Sequence, residues 1–295
     1  MKRNLEKIDS LDYWKTSMQY RISGKNEGGD NLIYVSSYNS EDYTITIAHR
    51  SVTSVLKLYD DDEMYSFLNE FEDNLVMDIT YLEIPVWAPI LRVLINNDVD
   101  FTIDYFMPSI YDSIPSNSIL VKSSDIEEIS TKIEPLSGFT QLLQASEEFI
   151  FVPLLGFEGA RTQYMFNTIE PKPELTFPVI SIPDRRIEYY KYSLIRNRIV
   201  LNNNSIWKKI HNIMVNDSKG TALLLKRLAN ENPRCVVKIG LAGPRLQCLG
   251  AIVCSILDQE RFQLIYDFPR PIGSPHSRSR VKKTVNVKEL VDAIR

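Results

Sequence analysis

Apolar positions along the chain fall into short runs that alternate with stretches of helical spacing. Residues 235–257, CVVKIGLAGPRLQCLGAIVCSIL, show the pattern most fully. The first five are a continuous apolar run broken by one lysine, which predicts a strand covered on both faces. Gly240 and Gly243 then allow positive φ and close backbone approach in an expected turn. A helix is expected from Pro244, where the missing N–H of proline costs nothing. Gly250 is expected to pack that helix against the sheet.

The same rhythm runs through the rest of the chain. Residues 1–22 predict an amphipathic helix, with Leu5, Ile8, Leu11, Trp14 and Met18 near one face. LIYVSS (32–37) predicts a strand, and SSYNSED offers Ser37, Asn39 and Ser40 as caps for a following helix. YTITIAHRSVTSVLKLY is open between strand, favoured by its β-branched residues, and a helix followed by a strand. The DDDE run at 60–63 predicts a solvated turn. LVMDITY, a helix opened by Pro85, and VDFTIDYF together give the βαβ signal of a parallel sheet. Residues 109–145 are richer in Ser, Asp, Glu and Pro and mark a domain boundary, with a returning strand at ILVKS. Beyond it, FIFVPLLGF and TFPVISIP predict strands. EGARTQYMFNTI, RRIEYYKYSLIRNRIV, SIWKKIHNIM and GTALLLKRLANEN predict helices, and FQLIYDFP a last strand before a basic tail. The expected fold is α/β, with two tandem Rossmann-like domains of mostly parallel sheets over residues 1–125 and 126–295.

Composition narrows this reading only a little. A chain of 295 residues that is 44% apolar can hold two domains with sizeable cores. The net charge of −4 gives no general reason to expect nucleic acid, though a local basic face stays open. No apolar run reaches about 18 residues, so no membrane span is expected. The start, MKRNLEKIDSLDYW, lacks the apolar core of a signal peptide. Cys235, Cys248 and Cys254 stand in apolar context, which fits a reducing cytoplasm and predicts buried thiols in place of a metal site.

Several short marks together resemble an uncharacterised bacterial family associated with phage-defence gene neighbourhoods. They are the glycine-bearing turn after FVPLLGFEG, Val215-Asn216-Asp217, GPRLQCLGA, and the closing YDFPRPIGSPHSRSR. In the first half SSYNSED, MDIT and IDYFMPSIYD belong with them, so the likeness spans roughly residues 32–280. Arg245 departs from the family's lysine–proline order at the main turn. The resemblance implies the tandem α/β fold and work in a defence complex with a protein partner. It implies no reaction.

In open α/β sheets ligands sit beyond the carboxyl ends of the strands. Four segments would meet there in the second domain. They supply Gly156 and Gly159, Asn216 and Asp217, Gly240, Gly243 and Arg245, and Arg270, Arg278 and Arg280 of the tail. Amides and arginines suit a nucleotide or other phosphorylated ligand, and an acid suits its hydroxyl or base. Asn216-Asp217-Ser218 equally suits capping of the next helix. Candidate catalytic acids are Glu41, Asp78, Glu158 and Asp217, with Glu41 and Asp78 open as a general-base or metal-ligand pair. That leaves a binding subunit, an enzyme of nucleotide or nucleic-acid chemistry, and a pure interaction subunit as readings, and names no cofactor. Arg185, Arg186, Lys191, Arg196 and Arg198 with Tyr189, Tyr190 and Tyr192 would suit RNA or single-stranded DNA. They equally suit a solvated face or a protein interface.

Overall fold

The computed structural model describes residues 20–24, 32–39, 41–49, 52–70, 75–80, 82–108, 129–130, 132–140, 148–203, 205–270 and 280–295. Among them the chain is α/β, with eight helices and mixed sheets in two compact units.

The first unit takes the described residues up to Met107 together with Lys282–Lys288. Its strands are β1 (Tyr20–Gly24), β2 (Leu32–Asn39), β3 (Thr44–His49), β4 (Val52–Lys57), β5 (Leu75–Asp78) and β6 (Phe101–Pro108). With β15 (Arg280–Asn286) they make a seven-stranded sheet in the order β15-β6-β5-β1-β2-β3-β4. Only the β5–β6 pair, joined through α2 (Ile84–Asn96), is the expected parallel βαβ unit. The pairs β1–β2, β1–β5, β2–β3 and β3–β4 are antiparallel, so this sheet is not mostly parallel. Connection length explains the three sequential pairs, β1–β2, β2–β3 and β3–β4, though not β1–β5, which joins strands far apart in the chain. A few residues close a hairpin, whereas a parallel neighbour needs a crossover of about a dozen or more.

SSYNSED therefore ends a strand and turns it back, and caps no helix. The Glu41 amide donates to Asn39 Oδ1 (2.9 Å), Asn39 Nδ2 donates to Asp42 Oδ2 (3.0 Å), and Tyr43 takes φ 51°. The DDDE run opens helix α1 (Asp61–Leu68) instead of forming a solvated turn. Asp60 caps it by accepting from the Glu63 amide (3.0 Å), and Asp61 pairs with Arg92 of α2 (2.6 Å). Acids at that end also complement the helix dipole. The helix expected over residues 1–22 lies outside the described residues except for its last three positions, which are strand.

The second unit comprises Pro108–Val281 and Glu289–Arg295. Short strands β7 (Ile129–Ser130) and β14 (Pro269–Arg270) pair with each other. The main sheet holds β8 (Glu134–Pro135), β9 (Phe149–Leu155), β10 (Val179–Ile182), β11 (His211–Met214), β12 (Val236–Leu241) and β13 (Phe262–Tyr266), in the order β11-β10-β9-β12-β13-β8. The strands β9 to β13 are all parallel, and β8 runs against β13. In chain order the parallel strands read 3-2-1-4-5, a doubly wound order that reverses between β9 and β12. Helices α3 (Gly159–Ile169), α4 (Ile187–Arg196) and α5 (Arg198–Asn203) pack on one another, and α6 (Ser218–Glu231) packs on α7 (Arg245–Leu257). Helix α8 (Val287–Ile294) closes the chain. The expected strand at ILVKS, and most of the polar stretch around it, lie outside the described residues.

Three local expectations change. The long helix RRIEYYKYSLIRNRIV is broken at buried Asn197 into α4 and α5. SIWKKIHNIM is no helix: it forms the 3-10 turn Ile206–Lys209 and the edge strand β11, with His211 as its first residue. Register with β10 (Val179↔His211 to Ile182↔Met214) holds that segment extended against its local propensity. Gly250 meets a helix and not the sheet, since a Cβ there would stand 2.0 Å from the Ser218 carbonyl oxygen.

Candidate functional site

The loops after β9, β10, β11, β12 and β13 all leave the second sheet at one edge, because those strands are parallel. The order reverses between β9 and β12, so the loops after these two flank the switch point. The loop after β9 is pinned by α4. Ser193 Oγ and Asn197 Nδ2 both donate to the Gly156 carbonyl (2.9 Å each), and Arg196 Nε donates to the Phe157 carbonyl (3.2 Å). The Phe157 ring meets Tyr189 and Tyr192 edge-on, at 5.8 and 5.4 Å between centroids.

The glycines at this edge are required by contact of chain on chain. A Cβ at Gly156 would stand 2.3 Å from the Ala242 oxygen, one at Gly159 1.9 Å from the Arg196 oxygen, and one at Gly243 2.7 Å from Leu154 Cβ. Gly240 lies within β12 against Met165 and Phe151, not in the turn. The positive φ open to Gly240 and Gly243 is not used at either; among the described glycines only Gly138 has it.

Helix starts at this edge differ. Asp217 Oδ1 accepts from the Gly220 amide (2.7 Å) and caps α6, so Asn216-Asp217 performs the capping role open to it. Glu158 precedes α3 and Pro244 precedes α7, and neither makes a side-chain cap hydrogen bond. The first turn of α7 is held firmly. Gln247 is fully buried, accepts from Ser181 Oγ (2.9 Å) and donates to the Ile213 carbonyl (3.2 Å), while Ser218 Oγ donates to the Leu246 carbonyl (2.6 Å). These bonds tie α7 to β10, β11 and α6. Arg245, half-buried, follows Pro244 at the helix start.

Sequence reasoning missed the strongest polar contact of the edge. Arg161, in the first turn of α3, makes a bidentate pair with Asp267, just past β13: Nε–Oδ2 2.7 Å and Nη2–Oδ1 2.7 Å, with both side chains buried. The next residue, Phe268, takes φ 45°, a left-handed conformation rare for a bulky side chain. The available signal was an acid directly after the apolar run FQLIY, since a buried acid needs a partner.

In the first unit the candidate acids Glu41 and Asp78 stand on different elements. Glu41 is exposed at the hairpin turn. Asp78 ends β5 and accepts from the Thr80 amide (2.9 Å), shaping its own turn. Its in-register neighbour is Asp104, which the sequence reading passed over. Asp104 is held by Lys282 Nζ (2.7 Å) and Thr284 Oγ1 (2.6 Å) of β15. Burial, then Tyr43 and the Glu83 carboxylate, push the nearby Tyr38 hydroxyl up to about 12.

Arg278 lies outside the described residues, Arg280 opens β15, and Arg270 closes β14. Cys235, Cys248 and Cys254 are buried and free, and burial pushes the Cys248 and Cys254 thiols up to about 12. Among the described residues no His, Cys, Asp and Glu cluster gathers as a metal centre would, and no helix is long and apolar enough to cross a membrane. No family model matches the chain, and no curated protein matches its sequence.

Proposed function

We propose that the second unit is a Rossmann-like domain taking a nucleotide or other phosphorylated ligand at its carboxyl edge. On this reading the protein is a cytoplasmic sensor or accessory subunit of a bacterial anti-phage defence complex. One observation carries the ligand. The helices α3 and α7 both start at the switch point and both start without a side-chain cap; α2 and α4 are uncapped too, but only α3 and α7 flank that point, and their neighbour α6 is capped by Asp217. Uncapped amides at the positive end of a helix suit an anion, and Arg245 adds charge there. The pinned loop at Gly156 and Gly159 and the buried Arg161–Asp267 pair keep this edge rigid. The defence setting and the protein partner rest on the resemblance of the sequence marks.

Calorimetry with a panel of nucleotides and phosphorylated metabolites tests this. Arg245→Ala is expected to weaken binding about tenfold or more with little change in melting, as loss of one charge-assisted contact does. Gly243→Val is expected to damage fold and binding together, because its side chain would displace Leu154. Unchanged binding by Arg245→Ala would move the site elsewhere. Turnover of any panel member would convert the reading to an enzyme, with Glu158 as the acid at this edge to substitute first.

A further inference from the structure

A second feature of the same unit lies away from the carboxyl edge. An open groove of about 460 Å³ runs between α4, α5, the 3-10 turn and β11, with Tyr190, Arg198, Asn202, Trp207 and Asn212 on its walls. Ile210 and Asn212 place it towards the amino end of β11. Trp207 is 53% exposed, and Lys208 Nζ stands 5.5 Å from its ring centroid. The Tyr190 hydroxyl is fixed on Asn212 Oδ1 at 3.0 Å. Arg198 is exposed and has no ion-pair partner among the described residues. From residue 184 to 212 basic side chains outnumber acidic ones seven to two, in a chain of net charge −4.

The fold sorts the basic and aromatic residues of this segment. Tyr189 and Tyr192 pack on Phe157, and Arg196 serves the Phe157 carbonyl, so these three act inside the unit. Of the rest, Arg185, Arg186 and Lys191 stand outside the groove's lining, whereas Tyr190 and Arg198 line it, joined by Trp207 from the turn that follows α5, with Lys208 beside the Trp207 ring. We infer that this groove binds single-stranded nucleic acid. Exposed aromatic faces take unstacked bases, arginine and lysine take phosphates, and asparagine amides reach base edges. A duplex keeps its base faces stacked and offers nothing to Trp207.

Fluorescence anisotropy of the full-length protein tests the inference, with labelled oligo-U and oligo-dT strands, a duplex of equal length, and an acidic polyglutamate peptide. Strands are expected to bind better than duplex or peptide and to weaken with added salt. Trp207→Ala is expected to lose about tenfold or more, and Trp207→Phe to recover most of it, as stacking requires. Arg198→Ala is expected to lower the salt slope by about one phosphate contact. Both side chains are exposed, so thermal melts of the variants should match the parent. No strand binding at low salt, full affinity in Trp207→Ala, or peptide binding equal to that of the strands would overturn it, the last by assigning the groove to an acidic protein.

Discussion

The two sheets of this chain are covered differently. In the second unit β9, β12 and β13 are buried at nearly every position, as strands with helices on both faces are. In the first unit β5 and β6 begin by alternating buried and half-buried residues, so one face is the more open. Asp78 and Asp104 stand side by side on that face. A sheet covered on both faces leaves little room for polar chemistry within its strands, where Lys238 lies over the Phe149 ring and Gln263 is buried, and the second unit places Arg161, Asp267 and Gln247 at its carboxyl edge. A sheet with a more open face can carry charge along the strands themselves, as Asp104 and Lys282 do.

The largest test of that contrast is the buried pair. Arg161→Ala strands the Asp267 carboxylate without its partner and is expected to cost about 3–5 kcal/mol. Urea unfolding should show the loss in the transition of the second unit alone. Replacing both partners with apolar residues (Arg161→Met with Asp267→Leu) should cost far less. A loss under about 1 kcal/mol for Arg161→Ala would mean that this edge is as well solvated as an exposed ion pair.

Alkaline pH gives the next effect. The chain's three cysteines all belong to the second unit. Burial raises the Cys248 and Cys254 thiols to about 12, so the unfolded chain loses these protons first. Their contribution is whole below about pH 9 and is lost as pH rises towards about 12. Melts across that range should show the second unit weakening, and a Cys248→Ala/Cys254→Ala variant should flatten the fall. Thiol labelling at neutral pH should stay slow until denaturant is added.

The caps are the smallest and most evenly divided test. Asp60→Ala and Asp217→Ala should each cost about 1 kcal/mol, one in each unit, with Ser at either position restoring most of it. If Asp217→Ser restored stability but abolished ligand binding, Asp217 would serve the ligand as well as the helix.

Much of the second sheet could be read from the chain because its signals are local. CVVKI is a run too apolar for one covered face, Pro244 marks a helix start, and Asp217 stands where a cap belongs. The features that escaped depend on partners far along the chain. Arg161 and Asp267 are 106 positions apart. HNIM becomes a strand because β10 offers it an edge. TITIAH and VTSVLK show their β-branched residues plainly, but the direction of TITIAH is set by the turn that Asn39 and Tyr43 shape. The close approach at Gly243 was legible in its turn, whereas the crowding at Gly156 and Gly159 is a property of the atoms opposite them, the Ala242 and Arg196 oxygens.

The joining of β15 to the first sheet has a consequence for biosynthesis. Asp104 meets Thr284 across 180 positions of chain. While the ribosome is still delivering the second unit, β6 is a sheet edge without its outer neighbour, and Asp104 lacks the cation and hydroxyl that hold it. An open edge is where nascent chains pair wrongly with one another. A ribosome-stalled chain ending before residue 280 is therefore expected to keep the first unit sensitive to protease and dependent on chaperones, even after all of its amino-terminal strands have emerged.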